Sequence, residues 1–323
     1  FGTMYTDSGA TASDNVDGDI TSSIVTVNPV NTGTIGMYTV TYDVTDSHSN
    51  TANQVSRSVE VVDVTSPIIA ITGANPMTVE VGGTYTELGA VASDDVDGTF
   101  AATPSGSVDT NTVGAYIISY NAVDSSTNSA TTVTRTVNVV DTTPPVITLL
   151  GSTTIDTEWK QVYTDAGATA SDNVDGDISA SIITVNSVNA LLLGIYTVIY
   201  NVTDAHGNLA NTVTRTVNVV DTTPPVAPVV QRPSQLEVIE TATSNTEGTC
   251  ETDATVTISG SSLVTNPTTT TCIGGKFLTQ ITFTGVSHNT SFVLTFTQTD
   301  PSGNTSSAVQ YNITYTTPQP TSG

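Results

Sequence analysis

The chain has 323 residues, and its 6 lysines and arginines stand against 30 aspartates and glutamates, which gives a formal net charge of −24. This balance argues against a nucleic-acid-binding protein, which needs a basic surface, and against attachment to anionic lipid through basic residues. Threonine is the commonest residue and β-branched residues are frequent, so the composition favours strands over helices. Because no stretch approaches 18 consecutive apolar residues, we predict no direct insertion into a membrane.

Three tandem copies of one pattern occupy residues 1–221. The acidic segment SDNVDGDI at 13–20 recurs with small changes at 93–100 and 171–178, so the copies are spaced by about 79 residues. Proline-containing junctions such as DTTPP separate the copies, and the sequence after the third copy no longer follows the pattern. The predicted segments are repeats at 1–63, 64–141 and 142–221, a divergent fourth domain at 222–316, and a tail or linker at 317–323.

Each copy has the two-residue period of strands. In the third copy, an apolar run at 145–150 predicts a first strand. Alternating residues at 194–202, a polar turn at 204–208 and a second alternating run at 213–219 predict a hairpin. Short strands, glycine-rich and aspartate-rich turns and the absence of a helical period predict an all-β chain of tandem immunoglobulin-like β-sandwiches. Four such domains in an elongated rod would extend over about 150 Å.

The repeated motifs resemble those of a known family. They are D-N-x-D-G-D, G-x-Y-T-V-x-Y-x-V-T-D and D-T-x-P-P, and they are similar to the bacterial Ig-like repeats of surface proteins and pesticidal crystal proteins, which are related to hyalin repeats. The resemblance covers residues 1–221, and residues 226–316 resemble a second, divergent bacterial Ig-like type. It implies an exported stalk, filament or adhesin module, although a fold alone does not fix a function.

The first copy departs from the pattern at its beginning. Aligning Asp7 with Asp165 places Phe1 at the position of Trp159, so the first copy lacks the counterpart of 144–158, which contains the predicted first strand. Two interpretations stay open. Either the chain is a fragment of a longer repeat protein, or another subunit donates the strand, because an unpaired sheet edge templates strand addition. Since Phe1 falls within a domain, we expect no signal peptide at this end.

The chain has two cysteines, both in the fourth domain. Cys250 and Cys272 lie 22 residues apart in an otherwise cysteine-free chain. This pattern predicts one disulfide and an oxidising, extracellular compartment. The alternative is a pair of buried free thiols.

Acidic residues recur in loops that should meet where two domains join. In an Ig-like sandwich, the loop between the second and third strands and the last hairpin loop lie at the end that faces the preceding domain. Clustered carboxylates there suit Ca²⁺, which takes six to eight oxygen ligands. The alternative is turn chemistry alone, because Asp and Asn stabilise their own turns, and Thr99 replaces one aspartate in the second copy. The predicted calcium ligands are Asp63, Asp94, Asp95, Asp97 and Asp124 at the first junction, and Asp141, Asp172, Asp175, Asp177 and Asp204 at the second.

Two further motifs predict structural roles. The spacing D-x-x-x-N is typical of a hairpin turn stabilised by its aspartate side chain. One arginine recurs at the same position of the last strand in each repeat, which predicts an ion pair or stacking on a tyrosine. The turns are 46–50, 124–128, 204–208 and 300–304, and the arginines are Arg57, Arg135 and Arg215.

The sequence predicts a protein that is not an enzyme. No G-x-S-x-G motif, phosphate-binding loop or His/Cys zinc cluster occurs, and a repeated set of acids is more typical of a repeated structural role than of a glycosidase pair. Our first hypothesis is an extracellular stalk or filament subunit that assembles with itself. The alternatives are an adhesin that binds a host glycan or protein through its terminal domain, and an accessory stalk of a larger secreted enzyme.

Overall fold

The computed structural model is almost entirely β-structure, which confirms the predicted all-β class and the Ig-like sandwiches. It describes residues 1–260, 264–265 and 269–316, so the predicted tail at 317–323 lies outside the described residues. The chain divides into two compact units, Phe1–Thr142 and Thr143–Gly323. No helix in the described ranges has the length and apolarity that a membrane crossing would need.

The first repeat of the first unit has two small antiparallel sheets. Strands β1 and β2 form one sheet, and β3, β4 and β5 form the other in that order. Val40 and Tyr42, on alternate positions of β4, are buried between them. The elements are β1 (Ser13–Asp14), β2 (Gly18–Asp19), a 3₁₀ turn (Thr21–Ser23), β3 (Val25–Val27), β4 (Gly36–Asp43) and β5 (Val55–Val61).

The second repeat is a fuller sandwich of seven strands. Its sheets have the orders β6-β8-β9 and β10-β11-β12-β7, and β7 runs parallel to β12 whereas the other pairs are antiparallel. Tyr120 on β11 is fully buried in a core with Ile69 of β6. The strands are β6 (Ile68–Ile71), β7 (Met77–Glu80), β8 (Ala90–Asp94), β9 (Gly98–Ala101), β10 (Thr103–Ser105), β11 (Gly114–Asn121) and β12 (Val133–Val140).

The third repeat, in the second unit, follows the plan of the second. Its sheets are β13-β15-β16 and β14-β19-β18-β17, with β14 parallel to β19, and the predicted hairpin is β18–β19. The elements are β13 (Val146–Leu149), β14 (Thr154–Glu158), β15 (Ala168–Asp172), β16 (Gly176–Asp177), a 3₁₀ turn (Ser179–Ser181), β17 (Ile183–Asn186), β18 (Gly194–Asn201) and β19 (Val213–Val220).

The segment that the first repeat lacks therefore supplies two strands, one to each sheet, where the sequence predicted one. In the first repeat a cavity of about 420 Å³ opens on the core. Its lining includes the counterparts of residues that form one core cluster with Ile69 in the second repeat. These lining residues are Ala12, Tyr42 and Val44, at the positions of Ala92, Tyr120 and Ala122. The cavity thus corresponds to the space that the first strand fills in the second repeat.

The fourth domain has larger sheets and an aromatic core. The sheets are β20-β22-β26-β24 and β21-β28-β27-β23-β25, and buried phenylalanines such as Phe277 and Phe296 lie between them. A disulfide joins Cys250 to Cys272, as predicted. The strands are β20 (Val229–Arg232), β21 (Val238–Ile239), β22 (Thr243–Thr249), β23 (Thr255–Ser259), β24 (Val264–Thr265), β25 (Thr269–Thr271), β26 (Lys276–Phe283), β27 (Thr290–Thr299) and β28 (Val309–Tyr315).

Candidate functional site

The hairpin turns with the D-x-x-x-N spacing are built by their first and last residues. In the second repeat, Asp124 accepts the backbone N–H of Asn128 on Oδ1 at 2.7 Å and the Asn128 side-chain amide on Oδ2 at 2.8 Å. The other three turns have the same pair of bonds, which confirms the predicted turn. Each turn therefore fixes a carboxylate at one end of its sandwich.

The neighbouring acidic loop of the second repeat is fixed in a similar way. Asp94 Oδ1 accepts the N–H groups of Val96 at 2.8 Å and Asp97 at 3.1 Å, which closes a tight turn between β8 and β9. Asp97 then accepts the backbone N–H of Ser125 at 2.6 Å and its hydroxyl at 2.7 Å. The acidic loop and the hairpin turn are thereby tied together.

Three carboxylates converge where the first repeat joins the second. Asp63, Asp94 and Asp124 each place an oxygen within 4.8 Å of the other two. Asp63 and Asp124 are each 7% exposed, and Asp94 is half-buried. Close approach of three carboxylates requires a compensating positive charge or protonation, because like charges at this distance repel.

Asp63, the second residue after β5, has one oxygen that accepts hydrogen bonds and one that accepts none from the described residues. Its Oδ1 accepts the N–H of Thr65 at 3.0 Å and the Thr65 hydroxyl at 2.5 Å. The hydroxyl bond and then the amide bond hold the pKa of Asp63 below its usual value, against the opposing effect of burial. Its Oδ2 is buried and accepts no hydrogen bond from any residue in the described ranges. The ammonium of Phe1, which donates to the carbonyl of Val62 at 2.7 Å, also lowers the pKa of Asp63, but no described residue donates a hydrogen bond to its Oδ2.

No basic side chain of the first unit neutralises this cluster. Residues 1–142 contain two basic side chains apart from histidine, Arg57 and Arg135. Arg57 pairs with Asp7, and Arg135 pairs with Glu87 at 3.2 Å, each within its own repeat.

The structure thus brings together three of the five acids predicted at the first junction. Asp95 is exposed, and its Oδ1 lies 2.6 Å from the Thr65 hydroxyl, whose single proton it shares with Asp63. Asp97 accepts hydrogen bonds from Ser125. Neither belongs to the cluster of carboxylate oxygens.

The second predicted set divides between the two units. Asp141 lies at the end of the first unit, and the other four acids lie in the second unit. These four accept hydrogen bonds from loop residues of the third repeat. Asp172 accepts two N–H groups of its own turn, Asp175 accepts the N–H of Ala205 at 2.7 Å, and Asp177 accepts the hydroxyl of Ser179 at 2.6 Å. Metal binding by this set stays a prediction.

Two histidines join acids in a way that the sequence did not predict. His206 has a ring nitrogen within 4.8 Å of carboxylate oxygens of Asp175 and Asp204. The first repeat has the same arrangement of Asp17, Asp46 and His48. In that repeat both oxygens of Asp17 accept bonds from Ser47, so the arrangement serves to tie two loops together.

The recurring arginine is fully buried in the second and third repeats and partly exposed in the first, and both predicted interactions are present. Arg215 is fully buried, donates to Asp165, and lies 5.8 Å from the ring centroid of Tyr200. Burial opposes ionisation of Asp165, but hydrogen bonds from Tyr200 and Tyr163 and the charge of Arg215 outweigh it, so the pKa of Asp165 is lowered. The equivalent groups are Arg57, Asp7 and Tyr42 in the first repeat and Arg135, Glu87 and Tyr120 in the second.

The glutamates that end the parallel strands β7 and β14 hold the linkers that follow their repeats. Glu158 accepts the hydroxyls and N–H groups of Thr222 and Thr223, and these bonds lower its pKa to about 2. Glu80 accepts the N–H of Thr142 at 2.8 Å and its hydroxyl at 2.7 Å. The sequence analysis did not identify these residues. Their equal position in two repeats was the available signal.

Comparison with known proteins gives a consistent family match. The family model described as "Bacterial surface protein, Ig-like domain" matches residues 1–61, 69–139 and 147–219. An 81.3 kDa protein of Acholeplasma phage L2 is 33% identical over 214 residues, covering 60% of this chain and 28% of that protein. The pesticidal crystal protein Cry22Aa of Bacillus thuringiensis is 29% identical over 219 residues, covering 62% and 28%. Hyalin of Strongylocentrotus purpuratus is 33% identical over 224 residues, covering 64% and 18%. The chain thus spans less than a third of the length of these relatives.

Solved structures match this chain with low TM-scores. A bacterial ice-binding adhesin of 1.5 MDa matches with a TM-score of 0.30 and 15% identity, over 88% of this chain and 92% of that chain. Drosophila N-cadherin EC1-4 matches with a TM-score of 0.29 and 10% identity, over 90% and 86%. Scores this low carry no inference about function.

Proposed function

Because the chain belongs to the bacterial surface protein Ig-like domain family, we propose that it is a structural segment of an extracellular surface protein, a stalk or filament component without catalytic activity. The supporting observation is the use of the repeated charged residues. Arg135 and Arg215 are fully buried and interact with a carboxylate and a tyrosine of their own domain.

This use of charge supports a structural role. A binding or catalytic site needs groups that a ligand can reach, whereas these arginines are sequestered in the core. Removing either member of such a buried pair would leave an uncompensated charge, so the network ties each domain to one arrangement of its strands. A chain that repeats a self-sufficient domain suits the task of spacing other parts of a protein apart.

Trp159 and two central phenylalanines of the fourth domain are engaged within the protein. Trp159 donates its indole N–H to the carbonyl of Leu191 at 3.0 Å, and the ammonium of Lys160 lies 3.4 Å from the centroid of its ring. In the fourth domain, Phe277 and Phe296 are buried. These contacts favour the structural proposal over an adhesin that recognises glycans.

One surface feature favours a second candidate function, an adhesin that binds a protein partner. A turn of the third repeat exposes Leu191, Leu192 and Leu193 by 72%, 62% and 45%. Clustered exposed leucines are unusual on a polar surface and are typical of protein contact sites. This site would lie in the third repeat, whereas the sequence analysis expected an adhesin site in the terminal domain.

A display experiment separates the two functions. The full chain, and chains lacking one or two of repeats 1–3, would carry a distal tag on the surface of a bacterium. The structural proposal expects accessibility of the tag to a large antibody to fall as repeats are removed, and expects Leu191→Ser with Leu192→Ser to change nothing. If that double variant abolishes attachment to host cells while Ile117→Ser, an exposed apolar control in the second repeat, does not, the adhesin function is correct.

A further inference from the structure

We propose that Asp63, Asp94 and Asp124 form a Ca²⁺ site between the first and second repeats. The inference goes beyond the structural role, which rests on the buried arginine networks and does not require a metal. It starts from Oδ2 of Asp63, which is buried and has no hydrogen-bond partner among the described residues.

The three carboxylates are held in place by bonds that do not use all of their oxygen lone pairs. Thr65 orients Asp63, the N–H groups of Val96 and Asp97 orient Asp94, and Asn128 orients Asp124. The side-chain amide of Asn128 also donates to the carbonyl of Asp63 at 3.3 Å, which ties the hairpin turn to the end of the first repeat. The oxygens are therefore assembled before an ion arrives, so binding does not have to order the loops.

The donor set and its dimensions suit calcium. Calcium–oxygen distances are about 2.3–2.6 Å, so two oxygen ligands of one ion can lie up to about 5 Å apart. One oxygen from each of the three carboxylates lies within 4.8 Å of the other two, which is inside this limit. The trio contains no histidine or cysteine, which zinc sites usually require. Magnesium needs a near-ideal octahedron at shorter distances and keeps most of its water, so a site of three charged carboxylates favours Ca²⁺.

The site is accessible from solvent on one side. Asp94 is half-buried, and together with Asp95, Thr65 and Ser66 it lines an open cavity of about 360 Å³. An ion can enter by this route, and water can supply the ligands that three carboxylates do not.

At the junction before the fourth domain, Asp221 occupies the position of Asp63 but does not belong to a cluster of three carboxylates among the described residues. Asp221, the counterpart of Asp63, accepts the N–H of Thr223 at 3.3 Å on Oδ1 and the hydroxyl of Ser302 at 3.1 Å on Oδ2. Its carbonyl accepts the Asn304 amide at 2.9 Å, as the carbonyl of Asp63 accepts that of Asn128. The backbone arrangement is shared, but a hydroxyl donor occupies the second oxygen of Asp221. Metal binding is therefore assigned to the first junction and not to this one.

Calcium at this position would bind the end of one repeat to two loops of the next. Asp63 belongs to the exit of the first repeat, and Asp94 and Asp124 belong to the second. The ion would replace repulsion among three carboxylates by attraction to a common cation, which would restrict motion at the junction.

The test is a calcium titration of the full chain after treatment with EDTA, with stoichiometry and affinity measured by calorimetry. Asp94→Asn retains an oxygen for the two turn amides but removes the charge, so we expect one bound Ca²⁺ fewer than in the wild type, or an affinity at that site at least about 10-fold lower. Asp221→Asn is the matched control, because it changes the counterpart of Asp63 outside the cluster, and it should keep the wild-type stoichiometry and affinity.

Three results would overturn the proposal. They are a wild-type chain that binds no Ca²⁺, an Asp94→Asn variant that binds as the wild type does, and equal affinity of the site for Mg²⁺. Circular dichroism checks the fold of each variant. If Asp94→Asn does not fold, Asp63→Asn decides, because its amide oxygen can still accept the bonds from Thr65.

Discussion

Arg215 is fully buried and donates to Asp165 in the core of the third repeat, whereas the equivalent Arg57 of the first repeat is 38% exposed in its pair with Asp7. The difference arises from the strands that cover the arginine. Arg215 also donates to the carbonyl of Ser152 at 3.1 Å, in the segment between β13 and β14, and the first repeat has no counterpart of that segment. The same ion pair is thus placed in two environments within one chain.

Neutralising the arginine should therefore cost more in the third repeat than in the first. Arg215→Met leaves the largely buried Asp165 charged without its partner, which typically costs about 3–5 kcal/mol. In the first repeat the 38% exposed Arg57 is already in contact with water, so its pair with Asp7 is weaker and Arg57→Met should cost clearly less. Amide hydrogen exchange, followed separately in β18–β19 and β4–β5, measures the local free energy of opening for each variant.

The pair Arg135→Met and Arg57→Met repeats the comparison in the second repeat, where the arginine is again fully buried. Equal losses of protection in all three repeats would show that burial does not set the strength of the interaction.

The lowered pKa of Glu158 predicts that the stability of the folded third repeat depends on pH. Its folded pKa is lowered to about 2, below the value near 4.3 expected in an unfolded chain. A depressed carboxyl pKa stabilises the folded state above the unfolded pKa, and this contribution is lost as the pH falls from about 4.3 to 2. Glu158→Gln should therefore have a melting temperature below that of the wild type at pH 7, and the gap should narrow at pH 2–3.

The single tryptophan makes this measurement specific to the third repeat. Trp159 follows Glu158 directly, so its fluorescence reports unfolding of this domain. Asp156→Asn is a control on the same strand, since its carboxylate accepts the Asn218 side chain and not the linker threonines. A gap between wild type and Glu158→Gln that is constant from pH 7 to pH 2 would contradict the lowered pKa.

The sequence predicted the antiparallel hairpins because their residues alternate strictly between faces, as around Tyr200 on β18. It did not predict β14, whose sequence TIDTE has one apolar residue and whose place beside β19 follows from a parallel pairing. The acidic loop shows a similar limit. Asp94 and Asp97 lie three residues apart in one tight turn, but one faces the junction and the other binds Ser125. Sequence spacing places carboxylates in a loop and does not give the direction of each side chain.

The disulfide should stabilise the fourth domain alone. It closes a loop between residues 22 apart, for which the chain-entropy model gives about 3 kcal/mol. Replacing both Cys250 and Cys272 by serine should raise the hydrogen-exchange rate of β22, β23 and β26 under native conditions. Unfolding of the third repeat, monitored by Trp159 fluorescence, should keep its midpoint. A shift of that midpoint would show that the disulfide acts beyond its own domain.

Adding counterparts of β13 and β14 before Phe1 should stabilise the first repeat. Residues 143–158 would be fused directly before Phe1, which aligns with Trp159, so that the added segment supplies counterparts of β13 and β14. Its isoleucine at the position of Ile147 should enter the cavity lined by Tyr42 and bury a side chain worth roughly 1.5–3 kcal/mol. We expect amide exchange in β4–β5 to slow by at least about 10-fold, since 1.4 kcal/mol corresponds to a factor of ten.

The matched control carries the same segment with aspartate in place of that isoleucine. It retains the backbone that can pair with the sheet edges but places a charge in the apolar cavity, so it should give little protection. If both fusions protect β4–β5 equally, strand pairing alone accounts for the effect and the cavity is not the binding position of the side chain. If neither protects, the added segment does not pair with the first repeat, and the exposure of Arg57 has another cause.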